Sequence, residues 1–132
     1  MVRMKSYGGV WEKITSFENL LGGYMDARRR KRKNQEVMDF YERYESELLR
    51  LRDEVISGVW RPLPFQEFTV YNERKLRHIQ APAFRDRVLQ HAVVRVIEPL
   101  VDRRFIYDSY SCRKGKGMHR AVERLQGFLR IA

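Results

Sequence analysis

Between Val37 and Val55 the apolar residues Val37, Phe40, Tyr41, Tyr44, Leu48, Leu51 and Val55 follow one another at intervals of 3, 1, 3, 4, 3 and 4. Side chains three and four apart share one face of an α-helix, so this spacing predicts a long helix with a single apolar stripe that something else must cover. Asn34 is placed to cap its start and Gly58 to end it, which sets the helix at about 35–57. The polar side of the segment holds seven acids against three arginines. That face should turn away from any polyanion, and the helix reads as a structural brace. A chain of 132 residues has room for one core and no more, so the rest of the sequence must supply the covering surface.

The remaining elements follow from punctuation and period. No long periodic pattern marks the first fifteen residues, and Gly8-Gly9 and Gly22-Gly23 read as breaks. Ser16 can cap a short helix whose Phe17, Leu20, Leu21 and Tyr24 share a face. Trp60-Arg61-Pro62-Leu63-Pro64 is expected to be extended, because a proline disfavours helix in the residue before it. Phe65 to Tyr71 alternates as a strand does, and Lys75 to Gln80 can return beside it through Asn72-Glu73-Arg74 as a hairpin. A helix starts near Phe84, with Val88, Leu89, Ala92, Val93, Val96 and Ile97 on a broad apolar face until Pro99 interrupts it. Tyr107 to Gly117 reads as a loop, and a last helix runs from about Met118 with Val122, Leu125, Phe128 and Leu129 inward. Helices around one hairpin make the fold class α+β.

Charge narrows the partner. The chain carries 27 Lys and Arg against 17 Asp and Glu, a net +10, which points to a polyanion, most often nucleic acid. No apolar run approaches the length of a membrane span, and the N-terminus lacks an apolar signal segment, so a membrane partner is not expected. One cysteine cannot form an internal disulfide, which fits a reducing, cytoplasmic setting. Two basic segments stand out. Arg28-Arg29-Arg30-Lys31-Arg32-Lys33 is six cations in a row, a candidate phosphate-contacting arm. From Lys75 to Arg120 there are eleven cations against four acids, interleaved with Phe105, Tyr107, Tyr110, Gly115 and Gly117. Forked guanidinium groups grip phosphate oxygens, glycines let backbone N–H groups come close, and tyrosines offer stacking faces for unpaired bases.

Catalytic groups are hard to find. Cys112 and His119 lack an orienting partner or an oxyanion hole visible in sequence. His78, His91, His119 and Cys112 have no metal-site spacing. No carboxylate pair sits in an apolar run that would raise its pKa.

The residues that remain resemble a known family. Lys75-Leu76-Arg77-His78-Ile79, Pro82, Asp86-Arg87-Val88, Gln90 and Ala92 resemble the first block of bacterial reverse transcriptases, K-x-R-x-I-x-x-P-x-x-x-D-R-(V/I)-x-Q-x-A. Ile97-Glu98-Pro99-Leu100, Phe105 and the run from Ser109 to Val122 resemble the second, which in intron-encoded relatives reads S-x-G-F-R-P-G-R-S-x-H-x-A. Cys112 in place of Phe and Lys114 in place of Pro look like the diversity-generating retroelement and allied branches. Ser16-Phe17-Glu18-Asn19-Leu20, the basic run and Trp60-Arg61-Pro62 resemble that branch too.

The resemblance implies the fingers subdomain of a right-hand polymerase with most of the palm missing. Residues 1–58 would be a helical extension with the basic run, and 59–132 the hairpin, the two blocks and the start of the palm. It gives Lys75 and Arg77 the triphosphate of the incoming nucleotide, with Arg87 beside them as the partner of Asp86. It gives Arg113, Lys114, Gly115 and Lys116 the template. The palm aspartates, which hold two metal ions for phosphoryl transfer, are absent, so Mg²⁺ belongs to the complete enzyme and this chain alone is expected to be inactive. RNA template, DNA primer, dNTP and a helical accessory protein are the implied partners. Faces such as Val88/Ala92/Val96 and Leu125/Phe128/Leu129, left uncovered, would favour self-association. Two other readings stay open on these residues: a stand-alone basic module that binds RNA or DNA without catalysis, and a scaffold surface for another protein.

Overall fold

The computed structural model describes residues 6–131. It is a small α+β fold whose described residues form six helices and one two-stranded antiparallel sheet. The helices are α1 (Val10–Thr15), α2 (Phe17–Ala27), α3 (Gln35–Glu42), α4 (Tyr44–Ile56), α5 (Phe84–Asp102) and α6 (Met118–Ile131), with strands β1 (Gln66–Asn72) and β2 (Lys75–Ala81) between α4 and α5. The chain divides into two compact units between Ile97 and Glu98.

In the first unit the core lies where α2, α3, α4 and α5 meet, with Tyr24 at its centre. The Tyr24 ring stacks on Phe40 at 5.4 Å and on Tyr44 at 5.6 Å, and meets Phe84 edge-on at 6.1 Å. Leu20, Leu48, Leu51, Val88 and Ala92 close around these rings. Ser16 caps α2 by accepting the Asn19 N–H, and the Asn19 amide donates to the carbonyls of Ile14 and Ala92, tying α1, α2 and α5 together. At the end of α4, Gly58 takes the left-handed conformation (φ 74°), Gly58 N–H bonds Val55 O and Val59 N–H bonds Glu54 O. This is the Schellman arrangement expected of a glycine just past a helix end.

Several sequence expectations need correction. The long helix is broken at Arg43 (φ −132°), into α3 and α4, a bend that lets both Phe40 and Tyr44 stack on Tyr24. Gly22-Gly23 does not interrupt a helix but lies inside α2, because α5 passes too close there for a side chain. Pro99 lies inside α5 rather than ending it. The proline removes the bond to the Arg95 carbonyl and its ring crowds that carbonyl, and the division between the two units falls directly before Glu98-Pro99. Finally, Val88 and Ala92 are fully buried against α2 instead of forming an open patch.

The second unit has a different character. Helix α6 buries none of its residues, so Val122, Leu125, Phe128 and Leu129, expected inward, are exposed. No helix among the described residues is long and apolar enough to cross a membrane.

Candidate functional site

The hairpin is built from a seven-pair register, Gln66↔Ala81 through Asn72↔Lys75, closed by the two-residue turn Glu73-Arg74. Both turn residues have positive φ, 50° and 61°, the twist that two-residue hairpins require. Residues opposite one another share a face. One face therefore carries Gln66, Phe68, Val70, Asn72, Lys75, Arg77, Ile79 and Ala81, and the other Glu67, Thr69, Tyr71, Leu76, His78 and Gln80. The second face is locked by cross-strand bonds from Gln80 to Glu67 (2.7 Å) and between Thr69 and His78 (3.3 Å).

Beneath the first face opens a cleft of about 760 Å³. Phe68, Ile79 and Ala81 form its apolar floor, Arg87, Gln90 and His91 of α5 one wall, and Lys31 and Asn34 another. Glu36 holds the cleft together. One of its carboxylate oxygens accepts the Phe84 N–H at 2.7 Å and the other accepts from the Gln66 amide at 3.3 Å. The reason is local: Ala83 precedes α5 and has no side chain to cap it, so the acceptor comes from α3. Sequence alone puts Glu36 on an outward acidic face; the uncapped helix start at Pro82-Ala83 is the one signal in it that a remote acceptor is needed.

The predicted cations separate into free and engaged. In the basic run, which forms two successive turns between α2 and α3, Arg28 is engaged: its guanidinium lies over Tyr24 (5.4 Å) and Tyr41 (5.0 Å) and donates to the Tyr24 hydroxyl. Arg29 pairs with Asp26 at 3.3 Å from an exposed position. Arg30, Lys31, Arg32 and Lys33 have no ion-pair partner among the described residues. Lys75 is likewise unpaired, and Arg77 meets only Glu73, at 3.2 Å. Arg87 does not pair with Asp86 as expected: the Asp86 carboxylate, buried, accepts the Leu63 N–H at 2.7 Å, which leaves Arg87 to the cleft.

In the second unit Arg113 is almost wholly committed to its own loop. With 13% of its side chain exposed, it bonds the Asp102 carboxylate at 2.7 Å and the carbonyls of Ile106 and Ser109 at 3.0 Å each, and stands over Phe105. Lys116 bonds the Tyr107 carbonyl and lies over the Tyr107 and Tyr110 rings. Gly115 adopts φ 70° in this loop, and Lys114, 91% exposed, reaches Glu98 only at 3.9 Å. Asp108 accepts from Tyr110 and Arg124 together. Partial burial, that bond and the Asp108 charge keep the Tyr110 hydroxyl protonated above tyrosine's ordinary range. Of the four residues given to the template, Lys114 is the one free to meet a phosphate. Replacing Lys114 with Ala is therefore expected to lower the salt slope of nucleic-acid binding by about 0.7–0.9. Arg113→Ala should leave that slope alone and speed amide exchange across residues 103–117 by roughly tenfold or more, the loss of a charge-assisted bond. A hydrogen-exchange map beside an anisotropy titration reads both.

Chemically, the arrangement can hold an anion on forked and ammonium donors and a flat ring against an apolar floor lined with amides. No three His, Cys, Asp or Glu side chains stand together as a ligand set among the described residues.

No protein-family model matches the chain. Protein YkfC of Escherichia coli (strain K12) is similar, 38% identical over 77 residues, a match that covers 58% of this chain and 20% of that protein. The chain spans about a fifth of the length of the curated relative it matches.

Proposed function

We propose that the chain is the fingers part of a cytoplasmic RNA-directed DNA polymerase, contributing contacts to the incoming nucleotide and to the RNA template. The observation that carries this reading is the single hairpin face that runs from the cleft floor at Phe68 and Ile79 to Arg77 and Lys75 near the tip. Strand residues rise about 3.3 Å each, so Arg77 stands roughly 7 Å and Lys75 roughly 13 Å beyond Ile79. That is a span over which a triphosphate can meet the cations while its base faces the cleft. Arg87 and Lys31 add charge on the cleft walls. Template phosphates would meet Arg30 to Lys33 and, in the second unit, Lys114. Primer DNA, dNTP and a helical accessory protein are the partners of such a polymerase. Its Mg²⁺ would be held by palm carboxylates of a Tyr-x-Asp-Asp kind, a motif this sequence does not contain.

Titration of the chain with a deoxynucleoside triphosphate and, separately, with a single-stranded RNA tests the proposal. Arg77→Ala is expected to weaken triphosphate binding roughly tenfold, the loss of one charge-assisted contact, and to change RNA binding less than twofold. Equal loss of both ligands would instead favour a basic RNA- or DNA-binding module without catalysis. Unchanged triphosphate binding would remove Arg77 from the site. Primer extension by this chain alone with Mg²⁺ would overturn the division of labour between fingers and palm.

A further inference from the structure

We propose that Glu73 is a built-in competitor for the anionic ligand of Arg77, so that the hairpin tip accepts a polyphosphate only by displacing a carboxylate. This rests on the reading of Arg77 and Lys75 as triphosphate contacts and adds the residue that sets their affinity. Glu73 is the one acid between Val70 and Ile79, among Arg74, Lys75 and Arg77. Its oxygen meets the Arg77 guanidinium at 3.2 Å, with the Arg77 side chain 53% and the Glu73 side chain 76% exposed. The pairing is imposed by the turn. Glu73 is held at φ 50°, a conformation that a non-glycine residue rarely adopts, and this fixes where its side chain leaves the backbone. Carboxylate and phosphate oxygens use the same forked donors, so both cannot hold the same edge of Arg77 at once.

The strength of the contact makes it a tuner and not a lock. Exposed ion pairs shift an equilibrium by about 1.5- to fivefold, little enough for a highly charged ligand to overcome. A monovalent anion gains little by displacing Glu73, whereas a triphosphate that also reaches Lys75 gains more. The carboxylate would thus raise the threshold for singly charged competitors at the tip.

The experiment titrates inorganic triphosphate into the full chain as wild type, Glu73→Gln, Arg77→Ala and the double variant, at low salt, with circular dichroism to confirm that each is folded. Glu73→Gln keeps the size and polarity of the side chain and removes its charge. The expected result is binding about two- to fivefold tighter for Glu73→Gln, weaker for Arg77→Ala, and for the double variant no tighter than Arg77→Ala alone. If Arg77→Ala weakens binding while Glu73→Gln leaves it unchanged, the competitor role is overturned and the Arg77 assignment stands. Should Glu73→Gln tighten binding equally with and without Arg77, the effect is general charge repulsion and the competition is again overturned. Binding indifferent to Arg77 overturns the reading on which the proposal rests.

Discussion

Gly23→Ala is expected to lower the stability of the first unit by about 1–3 kcal/mol, and its Tm by roughly 5–20 °C. A Cβ at position 23 would stand 2.7 Å from the Val88 carbonyl oxygen and 2.8 Å from the Ala92 nitrogen. Both are backbone atoms of α5, so neither can swing aside; α2 and α5 would have to separate. That separation would pull Tyr24 from Phe84 and loosen the Asn19 bond to Ala92. Alanine's better helix propensity, up to about 1 kcal/mol, offsets only part of this. Gly22→Ala is the control. The three atoms nearest its Cβ would all belong to the guanidinium of Arg95, the far end of a flexible side chain whose pairing with Asp26 is partly exposed. Moving that group costs at most about 1 kcal/mol, which the propensity gain matches, so Gly22→Ala should melt close to wild type. Thermal denaturation followed by circular dichroism compares the two. Equal melting of both variants would mean that α5 does not approach α2 at Gly23.

The same pair of glycines shows where sequence reading succeeds and where it stops. Signals confined to a few neighbouring residues were legible: Ser16 and Asn34 as caps, Gly58 past a helix end, the alternating strands and their hairpin, and the start of the last helix at Met118. Contacts between distant segments were not. Gly22-Gly23 looks the same in sequence whether it ends a helix or admits a neighbour about 65–70 residues away. The break at Arg43 has no glycine or proline to announce it, and goes with the stacking of both Phe40 and Tyr44 on one ring of α2. Cations pose the same problem in the candidate site. The sequence counts charges, but it cannot show that Arg28 is spent on Tyr24 and Tyr41 or that Arg113 is spent on its own loop. What was legible at the site was therefore its residue types and their segments. The cleft itself, with Glu36 joining α3, β1 and α5, required the fold.

That sorting of cations leads to the largest expected effect on binding. Changing Arg30, Lys31, Arg32 and Lys33 together to alanine should flatten the salt dependence of nucleic-acid binding by about three units. Each lost phosphate contact removes about 0.7–0.9 from the slope of log K against log salt. At 0.1 M salt a slope change of three corresponds to roughly a thousandfold loss of affinity, and it should be nearly independent of sequence, since phosphate contacts carry no base information. The four residues lie in turns between α2 and α3 and bury no core side chain, so the fold should survive their replacement. Arg28→Ala serves as the internal contrast. Its guanidinium is held on two rings and a hydroxyl, so its loss should lower stability while leaving the slope within experimental error. Fluorescence anisotropy over a series of salt concentrations, with a single-stranded RNA and a DNA duplex, separates the two variants. A quadruple variant with an unchanged slope would show that this run does not touch phosphate, and would shift the footprint to the hairpin and Lys114. A slope change of about 0.7–0.9 for Arg28→Ala, the full value of one contact, would mean that cations bound to aromatic rings still release counterions, and that the engaged and free classes are not distinct.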